Sequence, residues 1–264
     1  MKIAVTGANG RIGSAIVRMA LGQGHQVVPI DRAGNNVITA DVTDYDALVS
    51  AFAGCDAVVH MAAIPRPGLA PDHVVHNNNV VGSYDVLRAA AETGIRRICQ
   101  ASSVNAIGHS FSRAPRYDYF PIDESHPNYC EDPYSLSKWI CEEQGRAFAR
   151  RYADLTIASL RFHLVVPTRE DAITRHRSAD PAKHLWAWTQ LDAAADACLL
   201  SLTAEFNGHE TFYIVAPETL SEENSINLAR QHFPGVALRQ NLEGRRSFFN
   251  SDKARMLLGW QHPE

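Results

Sequence analysis

Tyr134-Ser135-Leu136-Ser137-Lys138 sets a phenol and an ammonium four residues apart. On a helix those side chains share one face, about one turn apart. A cation beside a phenol favours the phenolate, moving it from about 10 toward the range of a working base. With eight tyrosines in the chain and lysine rare, such a pair would arise by accident roughly 0.1 times. Ala101-Ser102-Ser103-Val104 adds hydroxyls able to hold a substrate oxygen. Thr6-Gly7-Ala8-Asn9-Gly10-Arg11-Ile12-Gly13 offers a second kind of chemistry. Its glycines let the backbone turn tightly and approach a pyrophosphate, whose charge the amides and a helix start stabilise. Asp31 closes the run Val27-Val28-Pro29-Ile30-Asp31, where a carboxylate accepts hydrogen bonds from an adenosine ribose. A bound NAD follows, while Arg32 leaves NADP open because a guanidinium can pair with a 2′-phosphate.

These groups need a scaffold that delivers them to one edge. Apolar β-branched runs (Ile3–Thr6, His25–Ile30, Val37–Ala40, Asp56–His60, Arg97–Gln100, Leu155–Leu160) alternate with helical stretches (Ile12–Leu21, Tyr45–Phe52, His73–Ala91, Tyr134–Tyr152). The strands lack a polar face, as parallel strands covered on both sides do. The expectation is an α/β protein: a Rossmann-type doubly wound parallel sheet with a small C-terminal substrate lobe. Pro133 suits the first turn of the helix that carries Tyr134. The serines end the fifth strand at the carboxyl edge, where open α/β sheets bind ligands. After residue 163 prolines 167, 181, 217 and 234 break the chain into shorter pieces. Residues 1–162 are therefore read as the NAD(P)-binding domain with the Ser/Tyr/Lys site. Residues 163–264 are read as mostly substrate lobe, with segments around 185–216 returning to the core through a helix near Leu191–Leu202 and a strand near Phe212–Ile214.

Of 264 residues, 45% are hydrophobic and 20% charged, with a net charge of −4. That composition is globular, and it offers no basic field for nucleic acid or an anionic membrane. No apolar run approaches the roughly 18 residues of a membrane span. The start at Met1-Lys2-Ile3-Ala4-Val5 leaves no room for a signal peptide, so a cytoplasmic setting is expected. Five scattered cysteines form no Cys-x-x-Cys pair, and twelve histidines form no His-Glu-x-x-His; no metal site is expected.

Gly7/Gly10/Gly13, Asp31, Asp41-Val42, His60-Met61-Ala62-Ala63, Asn79-Val80-Val81-Gly82, Ser102-Ser103, Tyr134-x-x-x-Lys138 and Leu257-Leu258-Gly259-Trp260 occur in the order of the extended short-chain dehydrogenase/reductases. The chain resembles the epimerase/dehydratase branch of that superfamily nearly end to end. The resemblance implies that Tyr134 is the acid/base, that Lys138 binds nicotinamide ribose hydroxyls while tuning it, and that Ser103 orients the substrate oxygen. Ser103 is preferred to Ser102 because it lies five residues before Gly108, although Ile107 stands where the family has tyrosine. Ser102 is assigned to the cofactor. The resemblance further implies cofactor contacts at Gly7, Asn9, Gly10, Arg11, Ile12, Gly13, Asp31, Arg32, Asp41, Val42, Met61, Ala62, Ala63, Asn79 and Phe162. It also implies a homodimer through the helices around Val74–Ala91 and Tyr134–Tyr152.

Two departures bear on the substrate. The stretch Leu160-Arg161-Phe162-His163-Leu164-Val165-Val166-Pro167 lacks the asparagine that nucleotide-sugar epimerases of this kind usually carry there. Only about a hundred residues follow Arg161, small for a lobe enclosing a nucleotide. The chain looks most like the uronate dehydrogenases, which oxidise hexuronic acids to aldaric lactones, with Val104-Asn105 in place of an Asn-His pair. A carboxylate substrate needs an arginine. Arg175 is the first candidate and Arg66 and Arg116 the weaker ones, with Asn105 and His163 as other substrate contacts. The expected activity is NAD-dependent hydride transfer to or from a small sugar, polyol or uronic acid. The rivals are an epimerase that retains NAD and a non-catalytic NAD(P)-sensing regulator.

Overall fold

The structure, a computed structural model, describes residues 1–177 and 179–263. The strands are β1 (Lys2–Thr6), β2 (Gln26–Asp31), β3 (Ile38–Thr39), β4 (Ala57–His60), β5 (Arg97–Ser103), β6 (Tyr119–Phe120), β7 (Thr156–Phe162), β8 (Val165–Val166), β9 (Thr189–Gln190), β10 (Gly208–Ile214) and β11 (Ala237–Leu238). The helices are α1 (Arg11–Gly22), α2 (Tyr45–Phe52), α3 (Asp72–Glu92), α4 (Pro133–Arg151), α5 (Arg169–Arg177), α6 (Leu191–Thr203), α7 (Ser225–His232) and α8 (Asp252–Leu258), with a 3-10 turn at Val104–Ile107 after β5. Seven strands form one parallel sheet in the order β10-β7-β5-β4-β1-β2-β3. This is the doubly wound arrangement expected from the apolar runs.

The period of two along a strand sends neighbouring residues to opposite faces. Ile3 and Val5 join Ile16, Ala194, Cys198 and Phe212 under α1 and α6. Ala4 joins Val58, Ile98, Leu48, Val86, Leu87 and Phe148 under α2, α3 and α4. Each large apolar side chain removed from water this way contributes about 1.5–3 kcal/mol. A smaller core gathers Tyr117, Phe120, Ile122, Leu185, Tyr213, Leu228, Phe248 and Phe249. It draws on residues 117–122, before β7, as well as on the C-terminal third. β10 pairs with β7 from Gly208 opposite Thr156 to Ile214 opposite Phe162.

Two strand readings differ from the structure. The run Val37–Ala40 pairs only at Ile38–Thr39, on the exposed edge. The strand expected at Phe212–Ile214 begins earlier, at Gly208. Its first half is polar because those groups have partners: His209 Nε2 meets Ser159 Oγ at 2.7 Å and Lys253 Nζ donates to Glu210 at 2.6 Å. Helix α4 starts where Pro133 predicts. The Asp132 carboxylate accepts from the backbone N–H groups of Tyr134 and Ser135, each at 3.0 Å. That N-cap fixes Tyr134 in the first turn.

Candidate active site

β1 pairs with β2 on one side and β4 on the other, so the loops that leave their carboxyl ends part and open a crevice. Two cavities of about 580 and 610 Å3 occupy it, sharing Gly7, Gly10, Met61, Ala63 and Pro65. The glycine loop is pressed against the loop after β4. Gly7 has φ +69°, and a Cβ there would lie 2.7 Å from the Ala62 nitrogen. A Cβ on Gly13 would lie 2.0 Å from the Gly7 carbonyl oxygen. Only backbone fits, as a cradle for a phosphate pair requires.

Asn9, Asp31, Arg32, Asp41, Val42 and Ala62 line the 610 Å3 cavity. The Asp31 carboxylate accepts from the Asn9 N–H at 2.9 Å and the Arg32 N–H at 2.8 Å, which ties the end of β2 to the glycine loop. The two joined cavities, one at a carboxylate and one at a phenol, fit a two-headed nucleotide.

Arg11, Ile12, Gly13, Ser103, Asn105, Tyr134, Lys138, Phe162, His163 and Arg66 line the 580 Å3 cavity. Tyr134 and Lys138 lie on one face of α4 as their spacing predicts, with the Lys138 nitrogen 5.9 Å from the centre of the Tyr134 ring. Lys138 donates to the Ala101 carbonyl at 2.8 Å. Ser103 lines the same cavity wall as Tyr134 and lowers the phenol's pKa. Ser103 in turn accepts from the Asn105 N–H at 3.1 Å and the Asn105 side-chain amide at 3.3 Å. The Asn105 oxygen accepts from Ser110 and from the Phe111 N–H. Asn105 thus holds Ser103 and the following loop.

The electrostatics of the resting site differ from the expectation of a phenol lowered by its lysine. Burial pushes Tyr134 up to about 12, and the group that pulls it back is Ser103. Burial lowers Lys138. Both effects disfavour charge in a dry wall.

Several of the expected residues have partners within the protein. Asn79, expected at the cofactor, accepts from the Ile64 N–H at 2.8 Å and donates to Ser137 at 3.0 Å, tying the loop after β4 to α3 and α4. Ser102 lines the cavity, and its hydroxyl donates to Glu142 at 2.5 Å. His163 is packed, its Nε2 donating to the His184 carbonyl at 2.9 Å. Arg175 stands on the exposed side of α5, outside the lining of either cavity. Arg116 lies beside Asp118 at 3.2 Å. Of the arginines proposed for a carboxylate, Arg66 is the one at the cleft.

The sequence reading missed the support beneath the site. Glu142, one turn beyond Lys138, is fully buried and held by Arg161 of β7 through two contacts of 2.8 Å. Burial alone would raise the Glu142 carboxyl; Arg161 and Ser102 outweigh it and hold it below its ordinary value. Arg161 also donates to Tyr213 at 3.0 Å. A signal was present: an arginine inside an apolar strand must have a buried partner. Phe111 was also missed; its ring meets Tyr134 edge-on at 5.6 Å.

Residues 3–210 match the model of the NAD-dependent epimerase/dehydratase family. The chain belongs to that family. Membership makes NAD the cofactor for which the cleft is built and places the protein among NAD-dependent enzymes. An L-arabinose 1-dehydrogenase (NAD(P)+) of Haloferax volcanii is 36% identical over 169 residues, 61% of this chain and 65% of that enzyme. The matched stretch thus spans just under two thirds of the relative. A short-chain dehydrogenase/reductase superfamily protein from Agrobacterium tumefaciens, solved with NAD, superposes with a TM-score of 0.76 at 23% identity, covering all of this chain and 93% of that one. A mutated uronate dehydrogenase superposes at 0.71 and 21% identity, covering all of this chain and 82% of its own. These likenesses establish the Rossmann-type fold.

Among the described residues no helix is long and apolar enough to cross a membrane, and no group of three or more His, Cys, Asp or Glu is placed to hold a metal ion. The five cysteines are free.

Proposed function

We propose that this family member is an NAD-dependent oxidoreductase of a small sugar, polyol or uronic acid. The observation that carries the reading is the convergence of Ser103, Tyr134 and Lys138 on a cavity continuous with the glycine loop. NAD, when bound, supplies the hydride acceptor. Gly7, Gly10, Arg11, Ile12 and Gly13 hold its phosphates, Asp31 its adenosine ribose, and Asp41, Val42 and Met61 to Ala63 flank it. Arg32 at the same cavity keeps NADP admissible.

Ser103 donates to the substrate oxygen and fixes it against Tyr134. In oxidation the Tyr134 phenolate oxygen takes the hydroxyl proton; in reduction the phenol returns it. Lys138, anchored at the Ala101 carbonyl, has two further N–H groups for ribose hydroxyls. Arg66 at the rim supplies a guanidinium for a carboxylate substrate, in line with the resemblance to uronate dehydrogenases. Residues 1–162 bind the cofactor and carry the Ser103/Tyr134/Lys138 site, and residues 163–264 mostly close the substrate end, with segments around 185–216 returning to the core.

Incubating the protein with NAD and a panel of hexuronates, hexoses and polyols tests the reading. Net reduced cofactor is expected with at least one of them. An epimerised sugar without reduced cofactor would favour the epimerase that the family model equally admits, and binding of NAD without any turnover would favour a cofactor-sensing regulator. We also propose a homodimer through α3 and α4. Val81 and Tyr84 of α3 are exposed apolar side chains three residues apart, near one helix face. Sedimentation showing only monomer at micromolar concentration would contradict it.

A further inference from the structure

His184 was absent from every motif, yet it lines the same cavity as Ser103 and Tyr134. Three imidazoles surround it, with ring centres 5.5, 5.6 and 6.4 Å away at His176, His163 and His109. Each of the three bonds a neighbour through at least one ring nitrogen. His163 Nε2 donates to the His184 carbonyl at 2.9 Å, His176 Nε2 donates to the Ala187 carbonyl at 3.1 Å, and His109 Nδ1 meets the Tyr117 hydroxyl at 2.6 Å. The His184 ring itself has no hydrogen-bond partner among the described residues.

The backbone after it is held rather than loose. Leu185 and Trp186 adopt φ of +51° and +49°, a left-handed pair without glycine, which persists only where packing over-determines it. Leu185 is fully buried in the smaller core, and the N–H groups of Leu185 and Trp186 donate to Ala182 and Pro181 at 3.0 Å each. The fold therefore fixes a half-buried, unpartnered imidazole in the wall of the cleft.

We propose that His184 is the specificity-determining residue of this cleft, binding a hydroxyl of a polyhydroxylated, monosaccharide-sized substrate away from the reacting carbon. The inference rests on the oxidoreductase reading of the same site. Burial and the Lys183 charge lower the ring's pKa, with Asp180 opposing, and the facing His109, His163 and His176 are lowered as well. A neutral imidazole has one N–H donor and one acceptor nitrogen, the complement of a hydroxyl and not of a carboxylate. The carboxylate of an acidic substrate belongs instead to Arg66, exposed at the rim of the cavity.

The test compares His184→Phe, His184→Gln and Arg66→Gln with the parent protein, each with NAD and either D-galacturonate or D-galactose. His184→Phe is expected to raise KM at least tenfold for both sugars with kcat within threefold, and His184→Gln, which keeps a donor and an acceptor, to stay within threefold of the parent. Arg66→Gln is expected to raise KM for the acid alone. An unchanged KM in His184→Phe, or a loss confined to the acid, would overturn the inference. A second reading needs neither turnover nor the phenylalanine variant. In protein with isotope-labelled histidine, the ring signal missing from His184→Gln should shift saturably when either sugar is added with NAD. A shift without net reduced cofactor keeps the His184 assignment while the hydride-transfer reading falls; turnover without a shift does the reverse.

Discussion

The two ends of the cleft are built by opposite means. At the cofactor end the atoms offered to the phosphates are backbone, supplied by one contiguous stretch, Gly7 to Gly13, where a Cβ on Gly7 or Gly13 would collide with neighbouring backbone, and the Asp31 side chain stands beyond it. At the substrate end the functional groups are side chains from β5, the turn after it, α4, the end of β7 and the 181–186 turn. Each of these is held by its own support: Ser103 by Asn105, Tyr134 by the Asp132 cap, His163 by the His184 carbonyl. A backbone site dictates residue type at every position, whereas a side-chain site dictates only that some partner be present. The first kind constrains the cofactor and the second leaves the substrate free to vary.

The comparison breaks most visibly at Gly13. Because its Cβ would fall 2.0 Å from the Gly7 carbonyl oxygen, Gly13→Ala should weaken NAD binding by about 5- to 150-fold, since strain of about 1–3 kcal/mol acts directly on the phosphate cradle. Calorimetry with NAD reads it; affinity within threefold of the parent would show that the loop is not backbone-limited.

The next largest effect lies at the other end. With the phenol pushed up to about 12, the base form grows about tenfold per pH unit below that value. The oxidation rate should therefore climb from pH 7 to 9 while carbonyl reduction does not rise, and a flat oxidation profile would remove the phenol as base.

A third test uses the buried histidines of the substrate end. His163 is lowered to about 3 and His176 to about 4, chiefly by burial, so the unfolded chain binds more protons than the folded one between those values and 6.5. Stability should accordingly fall as pH drops below 6.5, by about 1.4 kcal/mol per pH unit for each such group. Denaturant melts at pH 7 and 5 measure it; equal midpoints would mean that these rings are not buried as neutral groups. The smallest effect is at Arg175, where replacement by alanine should move KM for any accepted substrate less than twofold, and a tenfold rise would return it to the cleft.

Legibility in the sequence followed the same division. The glycine stretch, Asp31, the Tyr134/Lys138 spacing and the Pro133 start are local patterns, and the fold followed from strands apolar on both faces. Choosing Ser103 over Ser102 rested on its offset to Gly108; both serines line the cavity, and the Ser102 hydroxyl is bonded to Glu142. Asn79 is a cofactor contact only by the family resemblance; its partners here, Ile64 and Ser137, are fixed by tertiary packing. Arg175 lies in a segment expected to cross the mouth of the site, but it stands exposed on α5. Arg161 inside an apolar strand signals a buried partner but does not say that it is Glu142, 19 residues away, and His184, whose role depends on a left-handed turn, carries no local pattern.

The central claim is that Tyr134 moves the proton while the rest of the cleft holds the cofactor. It is tested most directly by Tyr134→Phe, with NAD affinity by calorimetry and reduced-cofactor formation by absorbance measured on one preparation. Affinity within twofold of the parent and turnover lower by about 10² to 10⁴ is the predicted result. Turnover equal to the parent's, with NAD bound as tightly, would contradict it.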